Sequence, residues 1–157
     1  MQIQLLLVGK TRFPFIREGI REYTERIKRY ADFRIRELPD LRNAGSWPQS
    51  QVLQEEGKRI LKALTAKDFV ILLDERGKMM DSIGFAEFLD RSQLNQTRKM
   101  VFVVGGAFGY SPEVYRRGNM QLSLSRMTFS HQLIPLFFVE QLYRAFTIIR
   151  GAPYHHG

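Results

Sequence analysis

The sequence predicts an α/β protein, a mostly parallel sheet covered on both faces by helices. Three observations lead there. Strand-like and helix-like apolar patterns alternate along the whole chain. Two short segments, Phe69–Leu73 and Met100–Val104, are apolar without interruption, as strands buried on both faces are. The length of 157 residues suits one domain, 1–157, with a real core.

The elements follow in order. Gln2–Val8 is a first strand ending at Gly9. Ile16, Ile20, Tyr23, Ile27 and Tyr30 then recur every three or four residues, the period of a helix. Its other face sets Glu22 before Arg26 and Glu25 before Arg29, pairs that face water. Phe33–Leu38 alternates apolar and charged residues, a strand with one wet face. Pro39–Pro48 is a loop holding Asn43, Ala44, Gly45, Ser46 and Trp47; Trp47 is either a packing anchor or an exposed contact. Gln49–Leu64 reads as a second helix with Leu53, Ile60, Leu61 and Leu64 inward. Phe69–Leu73 is a central strand, and Asp74–Lys78 a polar loop after it. Ser82–Leu94 is a third helix, Met100–Val104 a buried strand, Gln121–Leu124 a short strand and Leu133–Ile149 the last helix. In sheets of this kind ligands bind beyond the carboxyl ends of the strands. Asp74–Lys78, Gly105–Gly109 and Ser125–Ser130 each follow a strand, so one rim can hold all three.

Composition narrows the function. Twenty-four Lys and Arg against sixteen Asp and Glu give a net charge of +8, which favours a polyanionic partner such as nucleic acid. The absence of cysteine excludes disulfides, thiolate metal sites and a thiol nucleophile, and fits a reducing compartment. His131, His155 and His156 show no metal-binding spacing. The N-terminus has no basic region before its apolar run, so it reads as a strand and not a signal peptide. Leu133–Ile149 carries Glu140, Gln141 and Arg144 and does not read as a membrane span.

Four pieces carry chemistry. Gly105, Gly106 and Gly109 form G-G-x-x-G, which is neither the dinucleotide fingerprint nor a P-loop. It is a close-approach ligand loop or a plain tight turn. In Ser125–Phe129, backbone groups can meet an adenine edge while Leu124, Met127 and Phe129 pack on the ring; alternatively Thr128 or Ser130 caps the last helix. Arg126 meets a phosphate or faces water. The last helix is apolar nearly all round, which points to burial on two sides and to a second subunit. On it, Arg144 either pairs with Glu140 four residues earlier or points into a site. The Tyr154-His155 tail can supply a general base.

In their order along the chain, IQLLLVGK, YTERIKRY, ELPD, EEGKRIL, LLDERGK, FVVGGAFG, LSLSRMTFSHQ, VEQLYRAF, IIRG and PYHHG closely resemble the RlmH family, small SPOUT-superfamily methyltransferases of bacterial ribosomal RNA. The resemblance runs nearly end to end. It implies a SPOUT fold with a deep C-terminal trefoil knot and a homodimer joined at the knot and last helix. It implies S-adenosylmethionine as cofactor, held by Leu73, Gly105, Gly106, Gly109, Leu124, Ser125, Arg126, Met127, Thr128 and Phe129, with no metal. The implied reaction is methylation of N3 of a pseudouridine in large-subunit ribosomal RNA, on the ribosome and so in the cytoplasm, away from any membrane. His155, Arg144 and Tyr154 are then the catalytic candidates: His155 moves the imide proton and Arg144 steadies negative charge on the base. Pro135 and His156 depart from the family, which often has basic residues there. The rival readings are a SPOUT enzyme for another RNA and a basic RNA- or ribosome-binding module without catalysis.

Overall fold

In a computed structural model covering all residues Met1–Gly157, ten elements alternate. They are β1 (Gln2–Val8), α1 (Pro14–Ile27), β2 (Asp32–Leu38), α2 (Gln49–Ala63), β3 (Phe69–Met79), α3 (Ser82–Leu94), β4 (Lys99–Val104), α4 (Pro112–Arg117), β5 (Met120–Ser123) and α5 (Ile134–Arg150). The strands form one sheet in the order β2-β1-β4-β3-β5, and every pairing is parallel. The α/β, parallel-sheet expectation therefore stands.

Side-chain alternation divides the strands between two cores. Ile3, Leu5 and Leu7 of β1, with Ile71 and Phe102, face α1, α3 and α5, where Phe138 and Leu142 meet them. Phe102 and Phe138 sit 4.6 Å apart, ring centre to ring centre. Leu6, Val70, Leu72, Val101 and Val103 face the other way, against Ile60 of α2 and Val114 of α4. Of the four residues expected inward on α2, only Ile60 is fully buried. On α1 the Glu22–Arg26 pair forms at 2.9 Å, but Glu25 pairs with Lys28 and not Arg29, because the helix ends at Ile27. No helix is long and apolar enough to cross a membrane.

Two elements differ from expectation. The sequence shows no helix between β4 and β5, yet α4 forms there. Ser111 Oγ accepts from the Val114 N–H and Pro112 opens the first turn, a strong start for a helix of only six residues. The polar segment after Leu73 is no terminal loop either. β3 pairs with β5 through Leu73, bulges outward, and resumes pairing at Lys78 against the same residue, Leu122. Such a bulge re-aims side chains without ending the strand. It swings Asp74, Glu75 and Arg76 over the sheet's carboxyl end.

The return from the bulge needs Gly77. A Cβ there would stand 2.6 Å from the Gln121 carbonyl carbon and 2.7 Å from the Leu122 nitrogen, both backbone. Gly77→Ala is expected to cost about 1–3 kcal/mol, as overpacking does. Gly45, with nothing near its missing side chain, is the control, and its Ala variant should stay within ~0.5 kcal/mol of the parent. Urea midpoints for the two variants check this; equal midpoints would contradict the close approach.

Candidate active site

Three segments meet above the carboxyl ends of β4, β3 and β5: the bulge, the glycine loop and the loop after β5. They enclose a cavity of about 460 Å³, within the usual size of a small-molecule site. Leu73, Gly105, Gly106, Gly109, Leu124, Ser125, Met127, Thr128 and Phe129 all line it. Arg126 does not; it is exposed outside the cavity.

Tyr110 forms the floor. Its hydroxyl oxygen accepts from the Gly105 N–H at 3.1 Å and lies 2.8 Å from the Leu73 carbonyl oxygen and 2.7 Å from that of Val103. A single hydroxyl hydrogen serves both carbonyls. Burial pushes the phenol far above its ordinary pKa, so Tyr110 acts as a neutral group. The loop wraps the ring so tightly that a Cβ on Gly105 would stand 2.9 Å from Tyr110 Cε1 and 3.0 Å from the Gly109 carbonyl oxygen.

The bulge supplies charge. Burial alone would raise the Asp74 carboxyl, but hydrogen bonds from the Tyr115 hydroxyl at 2.6 Å and the Arg76 N–H at 2.9 Å, together with the Arg76 charge, hold it below the usual carboxylate range. Tyr115 rises in turn, through burial and then through the neighbouring Asp74 carboxylate. Arg76 donates to the Tyr115 hydroxyl at 3.1 Å. Thr128 donates to Glu75 Oε2 at 2.5 Å, tying the third loop to the bulge. Gln132 then donates to the Lys10 carbonyl and accepts from the Arg12 N–H, anchoring that loop at the end of β1. Neither Thr128 nor Ser130 caps α5: no side chain caps it, and Thr128 is spent on Glu75.

Arg144, Tyr154 and His155 form a second group, on α5 and the tail. Arg144 donates to Glu140 at 2.6 Å, approaches His155 Nδ1 at 3.2 Å and lies 4.7 Å above the Tyr154 ring. Tyr154 donates to the same Glu140 oxygen at 3.1 Å. The hydrogen bond to Glu140 raises the Arg144 guanidinium further above its ordinary value. A guanidinium only donates, so His155 Nδ1 is the acceptor in this contact. None of the three lines the cavity. Ile134, which does, precedes Arg144 by ten residues on one helix, roughly 15 Å along its axis. Within one chain, then, the three stay off the cavity lining, although Glu140, which holds Arg144 and Tyr154, borders a neighbouring pocket with Leu124, Ser125 and Phe129.

Sequence reading missed Tyr110, Tyr115 and His131 as lining residues. The S-P-E start of α4 was the available signal for Tyr115. No group of three His, Cys, Asp or Glu side chains is arranged to hold a metal ion.

The family described as Predicted SPOUT methyltransferase matches residues 1–155. Ribosomal RNA large subunit methyltransferase H of Flavobacterium johnsoniae is 44% identical over 156 residues, 99% of each chain. The proteins of the same name from Bacteroides thetaiotaomicron and Porphyromonas gingivalis are 45% and 46% identical over the same share. A crystal structure of tRNA (m1G37) methyltransferase from Aquifex aeolicus shares the fold, with a TM-score of 0.55 at 14% identity, across all of this chain and 76% of that one.

Two outcomes test the floor and the bulge. Tyr110→Phe leaves the Gly105 N–H and two carbonyls short of a partner and should cost about 1–3 kcal/mol in chemical denaturation; an unchanged midpoint would remove the hydroxyl's role. Asp74 has a lowered pKa in the fold, so its stabilising contribution is complete above the ordinary carboxylate range. It is lost as pH falls through its own lower value. Asp74→Asn should therefore be less stable than the parent at neutral pH and converge with it in acid, as unfolding midpoints across pH will show.

Proposed function

This chain belongs to the SPOUT methyltransferase family, and on that premise we propose that it moves a methyl group from S-adenosylmethionine to N3 of a pseudouridine in large-subunit ribosomal RNA. The name its relatives at 44–46% identity share, ribosomal RNA large subunit methyltransferase H, supports the RNA. The observation that carries the chemistry is the junction of three loops around one cavity.

The cavity fits that cofactor. Leu73, Leu124, Met127 and Phe129 offer apolar surface for an adenine face, and glycine backbone allows close approach. Asp74 and Glu75 against Arg76 leave a negative balance, suited to a sulfonium cation. Leu73, Gly105, Gly106, Gly109 and Leu124–Phe129 would hold it; of these, Arg126 would contribute only backbone. When bound, S-adenosylmethionine supplies an electrophilic methyl carbon that an in-line nucleophile attacks at close range.

The chain's own residues prepare that nucleophile. An imide nitrogen is weakly nucleophilic until its proton leaves. Arg144, held by Glu140 and Tyr154, is set to stabilise the negative charge that then spreads onto the base oxygens. His155 Nδ1 takes the proton once its contact with Arg144 opens.

Because the tail does not line its own cavity, a second copy completes the site. Phe137, Glu140, Gln141 and Arg144 share one stripe of α5. The Phe137 ring, 39% exposed, lies 4.9 Å from that of Phe129 at the cavity edge, and Met127 beside it is 75% exposed. A twofold homodimer across this stripe covers that apolar surface and brings one tail to the partner's cavity. A path from the β5 edge past Glu75 to Lys10 before α5 supports the trefoil knot. The net charge of +8 suits ribosomal RNA, the single domain 1–157 acts on the ribosome, and the reaction belongs in the cytoplasm.

The test is transfer of labelled methyl to ribosomes from cells lacking this protein, with naked ribosomal RNA in parallel and mapping of the modified base. Label on one large-subunit pseudouridine is expected; label on a different RNA, or none, would overturn the substrate. Arg144→Ala should lower transfer about 10²-fold or more with cofactor affinity unchanged. Mixing Arg144→Ala with Gly106→Val should restore transfer through mixed dimers. No restoration would contradict a site shared between copies.

A further inference from the structure

One carboxyl behind the glycine loop is at odds with its surroundings. Glu56, in the middle of α2, turns both oxygens to the loop: a Cβ on Gly106 would stand 2.8 Å from Oε2 and 3.0 Å from Oε1. Oε1 is shielded from solvent and is the one buried side-chain polar atom of the chain without a hydrogen-bond partner. A buried acceptor left unpaired costs free energy, so its retention calls for a physical reason.

The carboxyl has neither a cation nor room to withdraw. Arg59, three residues on, donates instead to the Pro39 and Asp40 carbonyl oxygens, at 2.6 and 3.3 Å. Arg12 is exposed and turns to Asp40, at 3.7 Å. Burial, then the Asp40 charge, raise the Glu56 carboxyl, with Arg59 opposing. The next residue, Gly57, packs so closely on the start of α4 that a Cβ there would collide with Ser111 Oγ and stand 3.1 Å from Ser111 Cβ. α2 is thus seated on α4 at this point, and the seat holds Glu56 against the loop.

The loop carries donors to match. Gly105 donates its N–H to Tyr110 Oη at 3.1 Å, and Gly109 donates to the Gly106 carbonyl at 3.3 Å. Between them, the N–H groups of Ala107 and Phe108 meet no acceptor of the chain. Gly106, Ala107 and Phe108 line the cofactor cavity, while Phe108 and Glu56 share a smaller cavity on the other side. One thickness of backbone therefore parts the carboxyl from the cofactor cavity. Gly106, without a side chain, lets the peptide after it turn with little steric resistance. Such a turn would bring unpaired donors to an unpaired acceptor.

We propose that Glu56 is a positioning residue for the cofactor: seating of S-adenosylmethionine turns the loop so that the Ala107 and Phe108 N–H groups donate to the Glu56 carboxyl, which then holds the loop closed over the cavity. The inference rests on the cofactor reading of that cavity, and Glu56 itself touches neither cofactor nor RNA.

Glu56→Leu removes the acceptor and keeps most of the bulk. With no cofactor added, its urea midpoint should equal or exceed the parent's, because an unpaired buried polar atom is gone. Calorimetric titration should nevertheless show S-adenosylmethionine bound about tenfold more weakly. Loss of a merely structural residue would lower the midpoint as well. Glu56→Gln keeps one acceptor oxygen and should bind the cofactor more tightly than Glu56→Leu does. Amide hydrogen exchange reads the contact itself: with S-adenosylmethionine saturating, the Ala107 and Phe108 amides should exchange about tenfold more slowly in the parent than in Glu56→Leu. A Glu56→Leu midpoint well below the parent's, a glutamine variant no better than the leucine one, or equal exchange of the two amides in parent and variant would each overturn the proposal. Cofactor affinity unmoved by Glu56→Leu would overturn it too, and would leave the cofactor reading of the cavity standing. A parent protein that fails to bind S-adenosylmethionine would overturn that reading and this inference with it.

Discussion

The hydroxyl of Tyr110 is the constraint on which the functional end of the molecule depends. β3 and β4 stop pairing after Leu73 and Val104, at the carboxyl end of the sheet. Backbone groups left there without water or a partner would cost about 1–3 kcal/mol each. Tyr110 fills that gap from the far side of the glycine loop, accepting from Gly105 and facing the carbonyls of Leu73 and Val103. The loop must therefore fold back over its own strand end, and Gly105 has no room for a side chain. β3, released from β4, is free to bulge towards β5. The cavity is the space these two departures enclose.

Charge is then distributed around that space by partners distant in sequence. Tyr115, delivered by α4, fixes Asp74 and, through Arg76, the whole bulge. Glu75 reaches across to Thr128, so the third loop cannot move without the first. A different logic governs the tail. Arg144 is clamped between Glu140, Tyr154 and His155 on a half-buried patch, away from the cavity it would serve. On the proposed function, one chain carries a cofactor cradle and a charge-stabilising group that would meet when two copies associate. The exposed Phe137 stripe of α5 is the surface on which they would do so.

Much of this was legible in the residues. Phe69–Leu73 and Met100–Val104 read as buried parallel strands because both of their faces are covered, and the carboxyl-end rule then grouped the three loops correctly. The failures have physical causes. Asp74–Gly77 looks like a loop because a bulge that turns polar residues to solvent has a loop's composition. α4 is too short for periodicity to register. Tyr110 and Tyr115 act on partners 37 and 41 residues away, which no local pattern encodes. Tyr154 and His155 read as part of the site, but they fold back onto Glu140 and Arg144 of α5 and do not line the cavity.

The most direct test of this dependence is calorimetric titration of S-adenosylmethionine into the parent protein and into Tyr110→Phe, at a temperature where both are folded. If the hydroxyl shapes the cradle, the parent binds saturably and the variant binds about tenfold or more weakly, the effect of losing one to two hydrogen-bonded contacts. Equal affinity in the two proteins would show that the cradle forms without Tyr110 and would contradict the central role given to it here.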